Sequence, residues 1–201
     1  MVVVMPEEMS EERKMIIKAF GASIVHTPGA ESDVDKSIQK VKEIVAENPQ
    51  TWVPDQFGNL DNVLAHEATT GPEIVSQMKG RVDAFVAAVG TGGTLTGVAR
   101  VLKRHSSNVK IVAVEPAECN ILSGGKWGRH RVEGVGDGFI PPILNMKLID
   151  KVVAIPDGEA IEMARRLAKE EGILCGISSG INVAAAIRVA EEMDPGKNIV
   201  T

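Results

Sequence analysis

Three observations predict an α/β fold, doubly wound around a mostly parallel, twisted sheet. Short apolar or β-branched runs alternate with longer segments of helical periodicity. The helical segments carry apolar residues at i, i+3, i+4 and i+7, the stripe that buries one face against a sheet. One apolar run passes straight into a glycine-rich turn and then a helix, an arrangement common at ligand sites of such sheets.

Val2–Met5 is a short β-branched run. Ser10 offers an N-cap, Glu11 and Glu12 fill a first helical turn, and Gly21 ends that helix. Ala22–Thr27 reads as a strand, and Val34, Ile38, Val41 and Val45 have helical spacing. Ala84–Val89 and Val109–Glu115 are apolar strands. Val152–Ile155 is another, followed by Asp157 as an N-cap, a stripe of Ala160, Met163, Ala164, Leu167 and Ala168, and a stop at Gly172. Ile173–Ile177 reads as a strand leading into a last helix, with Val183, Ala186, Ile187 and Ala190 on one face. Asn198–Thr201 looks like the start of a further strand. The Gly-rich segment Cys119–Ile143 breaks the alternation, which suggests close backbone approach to something. Both ends look cut inside the fold.

Composition narrows the function classes. The 201 residues carry 27 acids against 22 bases, a net charge of −5, which argues against nucleic acid as the main partner. Aromatics are 3% with no Tyr, too few for a base-stacking platform. Cys119 and Cys175 form no CxxC, and His26, His66, His105 and His130 are scattered, so no zinc spacing occurs. No apolar run approaches the roughly 18 residues of a membrane span, and Met1–Pro6 lacks the basic start of a signal peptide. The expectation is a reduced, cytoplasmic protein.

The strongest local signal is Val89-Gly90-Thr91-Gly92-Gly93-Thr94-Leu95-Thr96-Gly97. Its glycines permit a tight turn with inward N–H groups, and a helix N-terminus adds positive potential, which together make an anion nest. Two phosphate motifs fail. Val98 stands where a Walker lysine belongs, and Leu95 where a dinucleotide fingerprint has its third glycine. Glu115, at the end of the next strand, keeps a ribose-binding reading open, and a tight turn without a ligand is the bland alternative. The turn carries no basic residue, so a single phosphate on a larger cofactor fits it better than free phosphate.

Several segments resemble cysteine synthase (O-acetylserine sulfhydrylase), a pyridoxal-phosphate enzyme of fold type II. They are Met5–Arg13, Gln56-Phe57, Thr70–Ile74, Val89–Gly97, Ala113–Pro116, Gly134–Pro141 and Glu171–Gly180. Gly-Thr-Gly-Gly-Thr followed much later by Gly-Ile-Ser-Ser-Gly is the specific pair. The resemblance implies that Gly90, Thr91, Gly92, Gly93 and Thr94 cradle the cofactor 5′-phosphate. It implies that the Ser178 hydroxyl meets the pyridine nitrogen; without the family, Ser178 is a helix N-cap. Gln56 and Phe57 match residues near the substrate carboxylate, and Gly134, Gly136 and Phe139 match the loop closing over the substrate side of the ring. Cys175 is expected to be a packed, inert thiol rather than a nucleophile.

The implied reaction is β-replacement, making L-cysteine from O-acetylserine and sulfide. The implied partners are a second copy in a homodimer and serine acetyltransferase, with no nucleic acid and no membrane. The family's Schiff-base lysine precedes the segment that Met5–Arg13 resembles, so no catalytic residue is assigned and the chain reads as a fragment inactive alone. Residues 1–50 would end a small mobile domain and residues 51–201 would form an incomplete large cofactor domain, with the boundary near Asn48–Asp55. Cystathionine β-synthase, a serine/threonine dehydratase and a non-catalytic remnant are the alternatives. Asp137 replaces a small residue of many relatives, which puts the pocket's charge in question, and Glu31–Asp35 departs from the family pattern.

Overall fold

The computed structural model describes residues 1–201. Strand β1 (Val2–Pro6) pairs in parallel with β2 (Ser23–Thr27), joined through helix α1 (Glu11–Ala19). Parallel strands need such a crossover, and the β-branched run in each supplies the pleated half-buried surface. Gly21, at φ +79°, turns the chain after α1. Helix α2 (Val34–Glu47) packs on this small sheet, where the Thr27 and Ser37 hydroxyls meet at 2.7 Å in a buried contact.

Residues 48–60 contain no helix or strand. Helices α3 (Asp61–Ala68) and α4 (Thr70–Gln77) follow, with Pro72 in the first turn of α4, where a missing N–H costs no helical bond. A second sheet then forms from β3 (Ala84–Ala88), β4 (Lys110–Pro116), β5 (Lys151–Ile155) and β6 (Ile199–Val200). Its order is β5-β4-β3-β6 and every pairing is parallel.

Helices cover both faces, so strand residues alternate between two cores. Val86, Val112, Val114 and Ile155 face α6 (Asp157–Glu170) and α7 (Ile177–Glu191), meeting Ala160, Ile181 and Ala184. Phe85, Ile111 and Ala113 face the other way, onto Leu95, Val98 and Leu102 of α5 (Gly93–His105). Each fully buried aliphatic side chain contributes about 1.5–3 kcal/mol. The α6–α7 contact is close because its residues are small: a Cβ on Gly180 would overlap the Ala160 carbonyl oxygen.

The chain runs outward from β3 through β4 to β5, then returns through α6 and α7 to place β6 on the other side of β3. The order reverses at β3. Crevices at the carboxyl ends of strands beside such a reversal are where ligands bind in open α/β sheets.

The structure corrects four local expectations. Ile173–Ile177 is not a strand: Ile173 is 54% and Leu174 93% exposed, and α7 begins at Ile177. Because α6 and α7 lie on the same face, no strand need pass between them. The buried face of α7 is Ile181, Ala184, Ala185 and Val189, while Ile187 is 41% exposed. That helix is apolar nearly all round, so its periodicity did not select a face. Asp157 is the first residue of α6 rather than its cap, which is Pro156, and its carboxylate accepts the Arg131 N–H at 2.8 Å. Ser178 lies inside α7, whose N-cap is Gly176, with no side-chain cap bond.

Candidate functional site

The turn Gly90–Thr94 leaves β3 at the order reversal and enters α5. Two of its glycines are demanded by geometry. Gly92 is left-handed at φ +83°, with Leu144 Cβ 2.8 Å from where a side chain would start. A Cβ on Gly90 would overlap the Gly134 carbonyl oxygen. Gly92 is also the N-cap of α5 and has no side chain to cap it, while the Gly93 N–H donates to Thr91 Oγ1 at 3.3 Å. The first helical bond runs from the Thr96 N–H to the Gly92 carbonyl at 3.0 Å, so the N–H groups before it have no acceptor one turn back. No acid stands in the first turn of α5, and Lys103, Arg104 and His105 sit in its last. The positive end of the helix dipole is therefore not neutralised where the turn opens.

The hydroxyls of the turn are held from α3. Asn62 Nδ2 donates to Thr91 Oγ1 at 3.0 Å and to the Gln56 carbonyl at 2.9 Å. One turn later, His66 Nε2 lies 3.0 Å from Thr94 Oγ1, and its Nδ1 lies 2.9 Å from Thr70 Oγ1. Asn62 and His66 stand four apart, on one face of α3. Glu67 fixes α3 to α5 through Arg100 at 3.0 Å and Arg104 at 2.5 Å. Hydrogen bonds from Arg104 and Arg100 hold its carboxyl below the ordinary range. Sequence reasoning missed Asn62 and His66. Their spacing was visible, but which face α3 turns toward the glycines was not.

The segment Gly134–Phe139 lies against the same strand end. The Gly136 N–H donates to the Val89 carbonyl at 3.0 Å, and Gly134, Gly136 and Gly138 all have positive φ. Phe139 meets Phe57 edge to face, with ring centroids 5.2 Å apart. Phe57 is buried, whereas the neighbouring Gln56 is exposed and contributes its carbonyl to Asn62. Asp137 is 6% exposed, and one of its oxygens lies 3.9 Å from the Cβ position on Gly90.

Ser178 reaches this neighbourhood through Asn182. The Asn182 side chain accepts the Ala88 N–H at 2.7 Å and donates to the Ser178 carbonyl at 2.9 Å. The N-terminus of α7 is thereby joined to the last residue of β3.

Two readings of buried groups change. Cys175 is only half-buried, beside the exposed Leu174, while Cys119 is the packed thiol, at 1% exposure. Burial pushes the Cys119 thiol up. Glu115 does not face a ribose. It accepts the Leu122 N–H at 2.7 Å, the Ser123 N–H at 3.1 Å and the Ser123 hydroxyl at 2.6 Å, which engages both of its oxygens in holding the following bend.

Comparison with known proteins gives a consistent picture. A family model for pyridoxal-phosphate dependent enzymes matches residues 1–201. A cysteine synthase of Staphylococcus aureus is 49% identical over 201 residues, covering 100% of this chain and 64% of that protein. The chain thus spans under two thirds of the length of the curated relatives it matches. The crystal structure of a cysteine synthase from Entamoeba histolytica superposes with a TM-score of 0.89 at 43% identity, covering 99% of this chain and 59% of that one. An O-acetylserine dependent cystathionine β-synthase from Helicobacter pylori superposes with a TM-score of 0.94 at 39% identity, covering 100% and 65%.

Proposed function

Because the chain belongs to the pyridoxal-phosphate dependent enzymes, we propose that it forms the cofactor-holding part of a cysteine synthase-like enzyme that exchanges the β-substituent of O-acetylserine for sulfide. The single observation that carries this reading is the convergence at the end of β3. There the turn Gly90–Thr94, the segment Gly134–Phe139 and the N-terminus of α7 meet through Gly136–Val89 and Asn182–Ala88 hydrogen bonds.

The residues present fit the cofactor. Side chains are excluded at Gly90 and Gly92, a helix N-terminus without an acid faces the turn, and two hydroxyls flank it. Gly90, Thr91, Gly92, Gly93 and Thr94 would hold the phosphate through N–H and O–H donors. Ser178 would offer its hydroxyl to the pyridine nitrogen. When bound, pyridoxal phosphate supplies the electron sink that lets an amino acid lose its α-proton and β-substituent. Gln56 and Phe57 are assigned to the substrate carboxylate side, and Gly134, Gly136 and Phe139 to the cover over the ring. The buried Phe57–Phe139 contact supports the last assignment, because it fixes that cover beside Gln56. The covalent lysine is assigned to none of residues 1–201.

Residues 1–50, with the two-stranded sheet, and residues 51–201, with the four-stranded sheet, are proposed as two domains. A homodimer, a serine acetyltransferase partner and a cytoplasmic location belong to the same family-based proposal. A second reading, condensation with homocysteine, is favoured by one observation, the likeness to the Helicobacter pylori enzyme.

The test is an assay, with O-acetylserine and either sulfide or homocysteine and with products separated and identified, of residues 1–201 joined to the lysine-bearing segment of a cysteine synthase. Cysteine formed from sulfide at the higher kcat/KM supports the proposal. Faster use of homocysteine supports the second reading, and turnover of neither overturns both.

A further inference from the structure

Two carboxyl groups lie in the contact between the small sheet's unit and the glycine-rich segment, where a Cβ on Gly138 would overlap the Ser32 carbonyl oxygen. Glu31 lies in the 3-10 turn Glu31–Asp33 after β2, and Asp137 lies between Gly136 and Gly138. Each is 6% exposed. Glu31 Oε2 and Asp137 Oδ2 are both buried without an N–H or O–H donor from any other residue. Two ionised carboxylates cannot occupy such a place side by side without a cation, and one proton between them satisfies both.

The surroundings supply no cation to the pair itself. The charge of Arg13 of α1 favours the Glu31 carboxylate, but Arg13 is paired with Glu133 at 2.9 Å, whose charge opposes it. Lys36 is held by Asp33 at 2.6 Å and Arg129 by Glu8 at 3.0 Å. The groups beyond Asp137 are the buried Cys119 thiol and the engaged Glu115. His130 donates its Nε2–H to the Gly136 carbonyl at 2.8 Å and accepts the Val132 N–H at Nδ1, which fits a neutral ring. The Gly134 N–H favours the Glu31 carboxylate, but desolvation and Asp137 outweigh it.

We propose that Glu31 and Asp137 share one proton and form a pH-sensitive clasp that holds Gly134–Gly138 closed over the end of β3 and releases it as both ionise. The clasp acts on the turn directly, since Asp137 sits beside Gly90 and the Gly134 carbonyl fills the space a Gly90 side chain would take. The indole of Trp127 donates to the Ser32 carbonyl at 2.7 Å in the same contact, next to Glu31 in the chain. Glu31 is pushed up to about 7, by burial first and then by Asp137, and Asp137 to about 6, by burial. The pair therefore holds its shared proton in the folded protein at a pH where the unfolded chain has lost it. Their contribution is undiminished below the ordinary carboxylate range, falls as the pH rises from there, and is gone above about 7. This inference is independent of the cofactor reading.

The test is amide hydrogen exchange of residues 127–139, corrected for intrinsic pH dependence, on either side of pH about 7. Trp127 fluorescence in a Trp52→Phe background gives a parallel signal. In the unmodified protein, exchange at 134–138 should become about tenfold faster above the transition. Asp137→Asn and Glu31→Gln each replace one acid with an amide donor and should abolish the transition, with the segment protected throughout. A transition that persists unchanged in both variants, or that is absent from the unmodified protein, overturns the clasp. Should either variant fold poorly, the infrared band of a protonated carboxyl in the unmodified protein decides. It must disappear with the midpoint seen in exchange, and a missing band or a different midpoint overturns the proposal.

Discussion

Asn182 accepts the Ala88 N–H at 2.7 Å, so a side chain ninety-four residues downstream finishes the backbone bonding of β3 just before the glycine turn. The same amide donates to the Ser178 carbonyl one helical turn back. One side chain thus sets the distance between the N-terminus of α7 and the turn Gly90–Thr94. Asn182→Ala should cost about 1–3 kcal/mol, because it leaves an N–H of the central strand without its acceptor. Asn182→Asp keeps an acceptor and should recover part of that loss. Urea denaturation of the three proteins checks both expectations, and equal costs for Ala and Asp would show that the Ala88 bond is not the stabilising one.

Gly92→Val tests the turn. A β-branched residue at φ +83° is strained by about 1–3 kcal/mol, and its side chain would press on Leu144. In the enzyme restored with its lysine-bearing segment, the expected result is reduced retention of pyridoxal phosphate on dialysis together with lower thermal stability. Full retention would remove the turn from the cofactor site, whatever happens to stability.

Asn62 and His66 are expected to act through Thr91 and Thr94 rather than on the cofactor. Asn62→Ala frees the Thr91 hydroxyl to rotate, which should weaken cofactor binding by about 0.5–1.5 kcal/mol, roughly two- to tenfold. In a Thr91→Val background that effect should vanish, since the hydroxyl being oriented is gone. Titration of the four proteins with pyridoxal phosphate gives the cycle, and an undiminished Asn62→Ala effect in Thr91→Val would assign Asn62 another task.

The parts of this molecule legible in the sequence are those whose signal is local. The apolar runs of β3 and β4, the stripe of α6 and the glycine turn before α5 each depend on residues within a few positions of one another. The segment Ile173–Ile177 misleads because a short apolar run has the same composition whether it pairs in a sheet or crosses between two helices on one face. The α7 face misleads because Val183, Ala186 and Ile187 are as apolar as the residues buried instead. Glu115 and Cys119 could not be placed because their partners, the Leu122–Ser123 bend and the interior beside Asp137, exist only after a loop without periodicity has folded. Asn62, His66, Glu31 and Asn182 share that limit. Each matters through a residue far off in the chain or on a face that periodicity does not select.

Ser178 is expected to act on the cofactor ring and not on its helix. Its position inside α7, with Gly176 as the cap and no side-chain cap bond, removes the competing explanation for any effect of its hydroxyl. A capping serine would cost about 1 kcal/mol on replacement by alanine, with or without a ligand. Here Ser178→Ala should be nearly neutral in the cofactor-free protein, within about 0.5 kcal/mol, because alanine suits a helix and no cap is lost. With pyridoxal phosphate bound, the same change should cost about 0.5–1.5 kcal/mol, the net value of one hydrogen bond to the ring nitrogen. Thermal stability of both proteins, measured with and without the cofactor, separates the two contributions. A Ser178→Ala cost that is the same in both states would show that its hydroxyl does not meet the ring. Ser179, the next residue of the same helical turn, would then be the first alternative to substitute.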